Sequence, residues 1–384
     1  MKADDGRAVV IITEQSELEK QCARWAMQSV LALDTEFIRT NTFYPKPGLF
    51  QLADDDAIYL IDPLEIDEWA CFIDLLECSD TTFVLHSASE DLALLLSAFG
   101  ILPAKLFDTQ LAAAYLGLGF SLSYQALVKT VLDIDVAKDE TRSDWLQRPL
   151  SESQLSYAAS DVCYLVQVSK ILETQLQDRG VLEWFREDAK SQLVTADEME
   201  NPSSWELAYA QMSNAWRLAD KQLRNLQILC YWRETEARRR NKPRSWIVKD
   251  MELFALADEI DLDEQVEVSD IRNVAVLSGE TKRKHAGAIL DILQNPPALA
   301  SINKALLSPP LPPRYRNLVK QWRKVVTDKA DALQIAPELL ARKKWLHELL
   351  RGTEQTGELN WQSPIAGWRQ NLLEAEFTQL FEKA

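Results

Sequence analysis

The stretch VLALDTEF (residues 30–37) places two carboxylates, Asp34 and Glu36, inside an otherwise apolar run. Val30, Leu31, Leu33 and Phe37 make the run a strand. Residues two apart on a strand leave from the same face, so the two acids point together. Burying adjacent acids is costly unless positive charge meets them. The run holds no Lys or Arg, which makes a bound cation the economical partner. Solvated acids at a sheet edge are the other reading of the same pattern.

Toward the N-terminus, AVVIIT (8–13) is a short β-branched strand, followed by a helical stretch from Leu18 to Met27. Toward the C-terminus, LFQLADDDAIYLIDP (49–63) reads as two strands joined across the Asp54-Asp55-Asp56 turn. A helix near 67–77 precedes the strand TTFVLHSA (81–88), and Ser87 or Ser89 starts the helix EDLALLLSAF (90–99). Helices at about 108–116, 121–132 and 151–178 complete the region. Three strands in a row, then strands and helices mixed, predict a mixed sheet with helices on both faces.

Three further acids fall on this framework. Asp91 lies in the first turn of its helix, where capping and the helix dipole also favour an acid. Asp108, in LFDTQ (106–110), reads as the cap of a helix starting at Thr109. In SESQLSYAASDVCYLV (151–166), Tyr157 and Asp161 stand at i and i+4 on one helix face. The small Ala158, Ala159 and Ser160 between them leave room for a backbone or a substrate. A packed Tyr157 and a salt-bridged Asp161 would fit the same helix. Four carboxylates with water can hold two hard divalent ions, Mg²⁺ or Mn²⁺. Two ions about 4 Å apart hydrolyse phosphodiesters, one activating a water and the other stabilising the leaving 3′-oxygen. Tyr157, with a reference pKa near 10, suits orienting that water by a hydrogen bond better than acting as a base.

Composition excludes other chemistries. Three histidines are too dispersed for a histidine metal site, and five cysteines show no C-x-x-C pair. Unpaired thiols fit a reducing cytoplasm. No run of about 18 uncharged apolar residues could span a membrane. MKADDGRAVVIITEQ lacks the basic start and cleavage pattern of a signal peptide, so a cytoplasmic protein is expected.

Past about residue 195 strand patterns stop. Helical patterns run from Trp205 to Glu236, Ile247 to Asp258, Val268 to Leu277 and Glu280 to Leu293. After the break LLSPPLPPR (306–314) come Tyr315 to Ala332, Pro337 to Arg351, and a last helix near Gly367 to Lys383. Two small all-α bundles joined by a stiff Pro-rich linker are predicted. RRRNKPRSWIVKDMELFALA (238–257) and DALQIAPELLARKKWLHELL (331–350) form a weak internal repeat.

Charge divides with the fold. The net charge is −17; residues 1–190 carry 15 Lys and Arg against 32 Asp and Glu, while residues 191–384 carry 27 of each. Within the neutral half, RETEARRRNKPR (233–244) offers Arg238, Arg239, Arg240 and Lys242 as phosphate contacts. A solvated, locally balanced helix face is the competing account. Phe37 and Phe43, near the acids, are candidates to touch a terminal base. The tryptophans of this half, at helical spacing, read as bundle core.

Asp34-Thr35-Glu36 on a strand, HSASED (86–91) after a strand and YAASD (157–161) on a helix resemble the three motifs of the DEDD exonuclease superfamily, in its tyrosine branch. FDTQLAAAYLG (107–117) and RSDWLQRPLSESQLSYAASDVCYL (142–165), with the helical modules, look like bacterial ribonuclease D. The modules resemble the HRDC domain shared with RecQ helicases, present twice. This resemblance covers nearly the whole chain. It implies a ribonuclease H-like α/β exonuclease domain over 1–200, a first HRDC-like domain over 201–295 and a second over 310–384. The activity implied is 3′→5′ removal of single nucleotides from RNA by two divalent ions. Asp34, Glu36, Asp91 and Asp161 would be the metal ligands, and Tyr157 would orient the water. RNA with a free 3′ end, tRNA precursors above all, would be the substrate. A DNA 3′→5′ exonuclease with the same site is an alternative, since the 2′-hydroxyl is read by shape and a few hydrogen bonds. A non-catalytic RNA-binding protein is another.

Overall fold

A computed structural model describes residues 2–136 and 143–383. Arg142, at the head of the ribonuclease D-like stretch 142–165, lies outside the described residues. Six strands, β1 (Ala8–Ile12), β2 (Val30–Ile38), β3 (Lys46–Ala53), β4 (Ala57–Ile61), β5 (Thr82–Leu85) and β6 (Leu106–Asp108), form one sheet in the order β1-β4-β3-β2-β5-β6. β3 runs antiparallel to β2 and β4, and the other pairs are parallel. This is the expected mixed sheet. β2 lies inside it, so its acids are not the solvated acids of an edge strand.

Period-two alternation sorts the strands' side chains. Leu31, Leu33, Phe50, Leu52 and Phe83 pack with α1 (Gln15–Trp25), α2 (Ala70–Glu77) and α3 (Ser89–Phe99) on one face. Ala32, Leu49, Ala53, Leu60 and Val84 pack on the other, with α4 (Thr109–Tyr115), α5 (Tyr124–Leu132), α6 (Glu152–Cys163), α7 (Leu165–Asp178) and α8 (Leu182–Met199). Asp108 caps α4 as expected, accepting from the N–H groups of Gln110 and Leu111. A reciprocal Ser151–Gln154 capping box starts α6. The helix expected over 151–178 breaks at Tyr164, whose N–H donates to the Tyr124 hydroxyl at 3.1 Å.

The first helical module holds α9 (Pro202–Trp205), α10 (Asp220–Arg239), α11 (Arg244–Ile247), α12 (Asp250–Glu259), α13 (Val268–Asn273), α14 (Gly279–Lys284) and α15 (Ala286–Gln294). The helix expected from Trp205 to Glu236 is corrected. Two 3₁₀ turns and a left-handed Asn214 intervene, and α10 begins only at Asp220. This module has its own core around Tyr209, Leu226, Leu229, Leu253 and Ile289.

The second module, α16 (Tyr315–Leu333), α17 (Pro337–Leu340), α18 (Lys343–Thr356) and α19 (Trp368–Phe381), is attached differently from a bundle tethered only by a linker. Its core around Trp322 and Phe377 is continuous with the α4–α8 side of the sheet. Trp184 stacks on Trp368 at 4.6 Å, and the Ala336 N–H donates to the Ala114 carbonyl at 2.9 Å. Gly117 is required at this seam: φ is +68°, and a Cβ there would lie 2.5 Å from the Gln334 carbonyl. Among the described residues no helix is long and apolar enough to cross a membrane.

Candidate active site

β2 brings Asp34 and Glu36 to the face that α6 crosses. Ala158 and Ala159 of α6 are buried against the sheet, and their small size lets the helix sit close. Asp161 then meets the strand, and one oxygen each from Asp34, Glu36 and Asp161 lie within 4.8 Å of one another. Tyr157, one turn earlier, lies near Asp161 and has Trp145 beside it, ring centres 6.2 Å apart.

Asp91 arrives from the opposite layer. Thr35, between the two strand acids, points toward α3 and donates to Asp91 Oδ1 at 2.5 Å. The turn leading into α3 carries Ser87 in the left-handed region, φ 61°. The N–H groups of Ser87 and Ala88 donate to the Asp108 carboxylate at 3.0 and 3.3 Å. Asp108 therefore does more than cap α4: it also braces the turn that presents Asp91.

Each acid resists ionisation. Burial pushes Asp34 well above the carboxylate range, with the charges of Asp91, Asp161 and Glu36 adding to it. Glu36 rises to about 8, through burial and then Asp161 and Asp91. Burial takes Asp91 to about 7 against the opposing Thr35 hydrogen bond, and Asp161 to about 7 against the lowering effect of the nearby Tyr157 hydroxyl. Burial and the same acids raise Tyr157, so its phenol stays protonated.

Comparison with known proteins follows the same outline. A family model described as a 3′→5′ exonuclease matches residues 9–177, the sheet and its helices. Ribonuclease D of Pseudomonas paraeruginosa is 39% identical over 374 residues, 97% of either chain. The chain belongs to the ribonuclease D family. It is accordingly a 3′→5′ exoribonuclease. A model of the ribonuclease D C-terminal HRDC domain matches residues 313–377, the α16–α19 module. The crystal structure of ribonuclease D from Escherichia coli superposes with a TM-score of 0.83 at 31% identity, covering 98% of this chain and 99% of that one. The catalytic core of RRP6 from Trypanosoma brucei shares the fold, with a TM-score of 0.54 at 19% identity over 76% of this chain and 80% of that one.

For a ribonuclease D the donor set fits divalent metal. Carboxylate oxygens are the ligands that hard cations prefer. Among the described residues none of the four acids pairs with Lys or Arg, so their ionised forms meet no counter-charge from the protein.

Sequence reasoning missed Gln51. It pairs with Asp34 across β2 and β3, on the α6 face, and is fully buried with both amide atoms lacking a protein partner. The available signal was a carboxamide in the middle of the apolar strand LFQLA (49–53).

The expected RNA contacts are partly corrected. The Arg238 side chain is 7% exposed; it pairs with Glu200 and Glu234 and stacks on Trp205 at 4.0 Å, so no phosphate can reach it freely. Phe43 lies beneath Arg238 and Arg244 at 4.4 and 4.9 Å, covered rather than open to a base. Arg239 and Arg240 are exposed but both pair with Glu236, and the Lys242 ammonium sits 3.4 Å from the Asn41 carbonyl. Phe37, half-buried, packs toward the α1–α3 side of the sheet.

Proposed function

We propose that this member of the ribonuclease D family removes single nucleotides from RNA 3′ ends, tRNA precursors included, by hydrolysis with two divalent ions, Mg²⁺ or Mn²⁺. The observation that carries this reading is the convergence of Asp34, Glu36 and Asp161 oxygens within 4.8 Å, with Asp91 held beside them through Thr35. These four residues would hold the ions. Bound there, two ions supply an activated water and charge stabilisation for the leaving 3′-oxygen. Tyr157 cannot act as a base at neutral pH with its phenol held protonated, so its O–H orients the attacking water. The close seating of Ala158 and Ala159 keeps Asp161 and Tyr157 in fixed positions relative to β2, which is how orientation lowers a barrier. We read residues 1–200 as the exonuclease domain, 201–295 and 310–384 as HRDC-like domains, and the five free cysteines as those of a cytoplasmic protein. Arg239, Arg240 and Lys242 are offered as outlying phosphate contacts.

The test is digestion of 3′- and 5′-labelled RNA and DNA strands, and of a tRNA precursor, with Mg²⁺, Mn²⁺ or chelator. RNA shortens stepwise from its 3′ end, only with metal, and Asp161→Asn abolishes it. Tyr157→Phe lowers turnover about a hundredfold and leaves RNA affinity unchanged. Cleavage in chelator, attack from the 5′ end, or near-normal turnover by Asp161→Asn would overturn the reading.

A further inference from the structure

The strand bearing Asp34 and Glu36 ends at Ile38, and its ladder with β3 slips at a bulge just after Glu36. Regular pairing alone therefore fixes the exit of the strand poorly, and residues 39–45 have no regular structure. They are held from outside. Asn241 follows the C-cap of α10 with φ 49°, the left-handed conformation that Asn tolerates at helix ends. That conformation turns its carboxamide oxygen onto two successive loop amides, accepting from the N–H groups of Phe43 and Tyr44, both at 2.9 Å. The Phe43 ring is covered by the guanidiniums of Arg238 and Arg244, and both of these are tied to Glu234. The Tyr44 hydroxyl donates to Glu200 at 2.9 Å, the same carboxylate that receives Arg238. At its other end the loop returns to the site: Arg39 pairs at 2.8 Å with Glu90, the neighbour of Asp91.

We infer that the first helical module is a clamp on the catalytic strand, with Asn241 as a positioning residue that keeps Glu36 in place through the 39–45 loop. This assigns the module a part in hydrolysis itself, separate from RNA capture. Shifts near 1 Å at reacting groups cost about a hundredfold in rate, so a loosened loop acts on turnover before it acts on substrate affinity. The inference rests on the hydrolytic reading proposed above.

The experiment uses the full chain. Asn241→Gly keeps the left-handed backbone and removes the acceptor, whereas Asn241→Asp keeps both. With a labelled trinucleotide, Asn241→Gly lowers kcat about tenfold with KM within about twofold, and weakens Mn²⁺ binding by calorimetry about threefold. Asn241→Asp restores both to within about twofold. Phe43→Ala, which opens the clamp from the loop side, matches Asn241→Gly, and the double variant is no worse than either alone. Parental kcat and Mn²⁺ affinity in Asn241→Gly, or equal damage from Asn241→Asp, would overturn the clamp. An inactive Asp161→Asn beside a normal Asn241→Gly rejects the clamp alone; an active Asp161→Asn rejects the hydrolytic reading beneath it.

Discussion

Acids crowded behind a helix hold their protons more tightly in the fold than out of it. Glu36 titrates near 8, and Asp91 and Asp161 near 7, whereas carboxylates of an unfolded chain titrate near 4. Because these folded-state values are raised, the stabilisation is complete below about pH 4 and is lost as the pH rises through about 7 to 8. In chelator, Tm therefore falls between about pH 4 and pH 8, and Asp34→Asn flattens the fall and raises Tm at the alkaline end. Thermal unfolding across that range checks it; an Asp34→Asn variant less stable than its parent at about pH 8 would contradict it. Gln51 stores a different cost, since a buried amide without a partner forfeits about 1–3 kcal/mol. Gln51→Met keeps the side chain's length and removes its polarity. We expect a higher Tm in chelator together with slower turnover of a trinucleotide; unchanged turnover would show that the amide serves nothing at the site. Asp34 and Glu36 were legible because a strand's period of two is local. Gln51 was not, because its burial depends on α6 crossing β3, a contact between residues about a hundred positions apart.

Helices were legible as elements far better than as neighbours. The apolar spacing of α16 to α19 announces a core, and Trp322 fills it, stacked on Phe377 at 4.4 Å. What spacing could not convey is that this core continues into the exonuclease half, because Tyr115, Trp184 and Trp368 each look like ordinary core residues of their own helix. The same reasoning that makes Trp322 core misplaces Trp246, which is 56% exposed. At the seam Arg369, buried, pairs with Asp188, which also accepts from the Tyr115 hydroxyl at 2.7 Å. Removing one member of a buried pair strands the other charge, at a cost of about 3–5 kcal/mol. Arg369→Ala should lower unfolding free energy in urea by about that amount, while the double change Arg369→Met with Asp188→Leu should recover most of it. A loss below about 1 kcal/mol for the single variant would mean that the seam is held by its apolar stack alone. Residues 1–200 by themselves would bare Tyr115 and Trp184, both packed on Trp368 in the full chain, so this fragment is expected to aggregate where the full chain does not.

An acidic catalytic half must still meet a polyanion, and the molecule as a whole divides that labour. Over residues 1–190 the excess of acid repels phosphate, so long-range attraction has to come from the neutral half. The cluster with the most arginines in sequence is largely spoken for: Arg238 is buried in ion pairs, and Arg239 and Arg240 share Glu236. A different surface carries two exposed cations, Arg316 and Lys343. Between the Pro-rich linker and α16 and α18 lies a cleft of about 400 Å³, lined by Arg316, Lys343, His347 and Arg351 against Pro312 and Tyr315. The pKa values of His347 and Arg351 are both lowered there, first by burial; Lys343 and Arg351 add to this for His347, while Glu348 partly opposes it for Arg351. Single-stranded RNA loses affinity with salt in proportion to the phosphates contacted, with a slope near 0.7 per contact. Changing Arg316 and Lys343 together to Ala, both exposed and so harmless to the fold, should weaken binding of a strand of about 30 nucleotides roughly tenfold at about 0.1 M salt and reduce the slope by about 1.4. Turnover of a saturating trinucleotide should not change, because that substrate fills the catalytic pocket alone. Arg238→Gln should do the reverse, lowering Tm by removing its pairs with Glu200 and Glu234, which leaves Glu234 to Arg244 alone, while leaving the salt slope of folded protein intact. Binding isotherms of the three proteins over a salt series, in chelator so that no strand is cut, decide the matter. A parental slope in the Arg316 and Lys343 variant would move the capture surface back toward Arg239, Arg240 and Lys242.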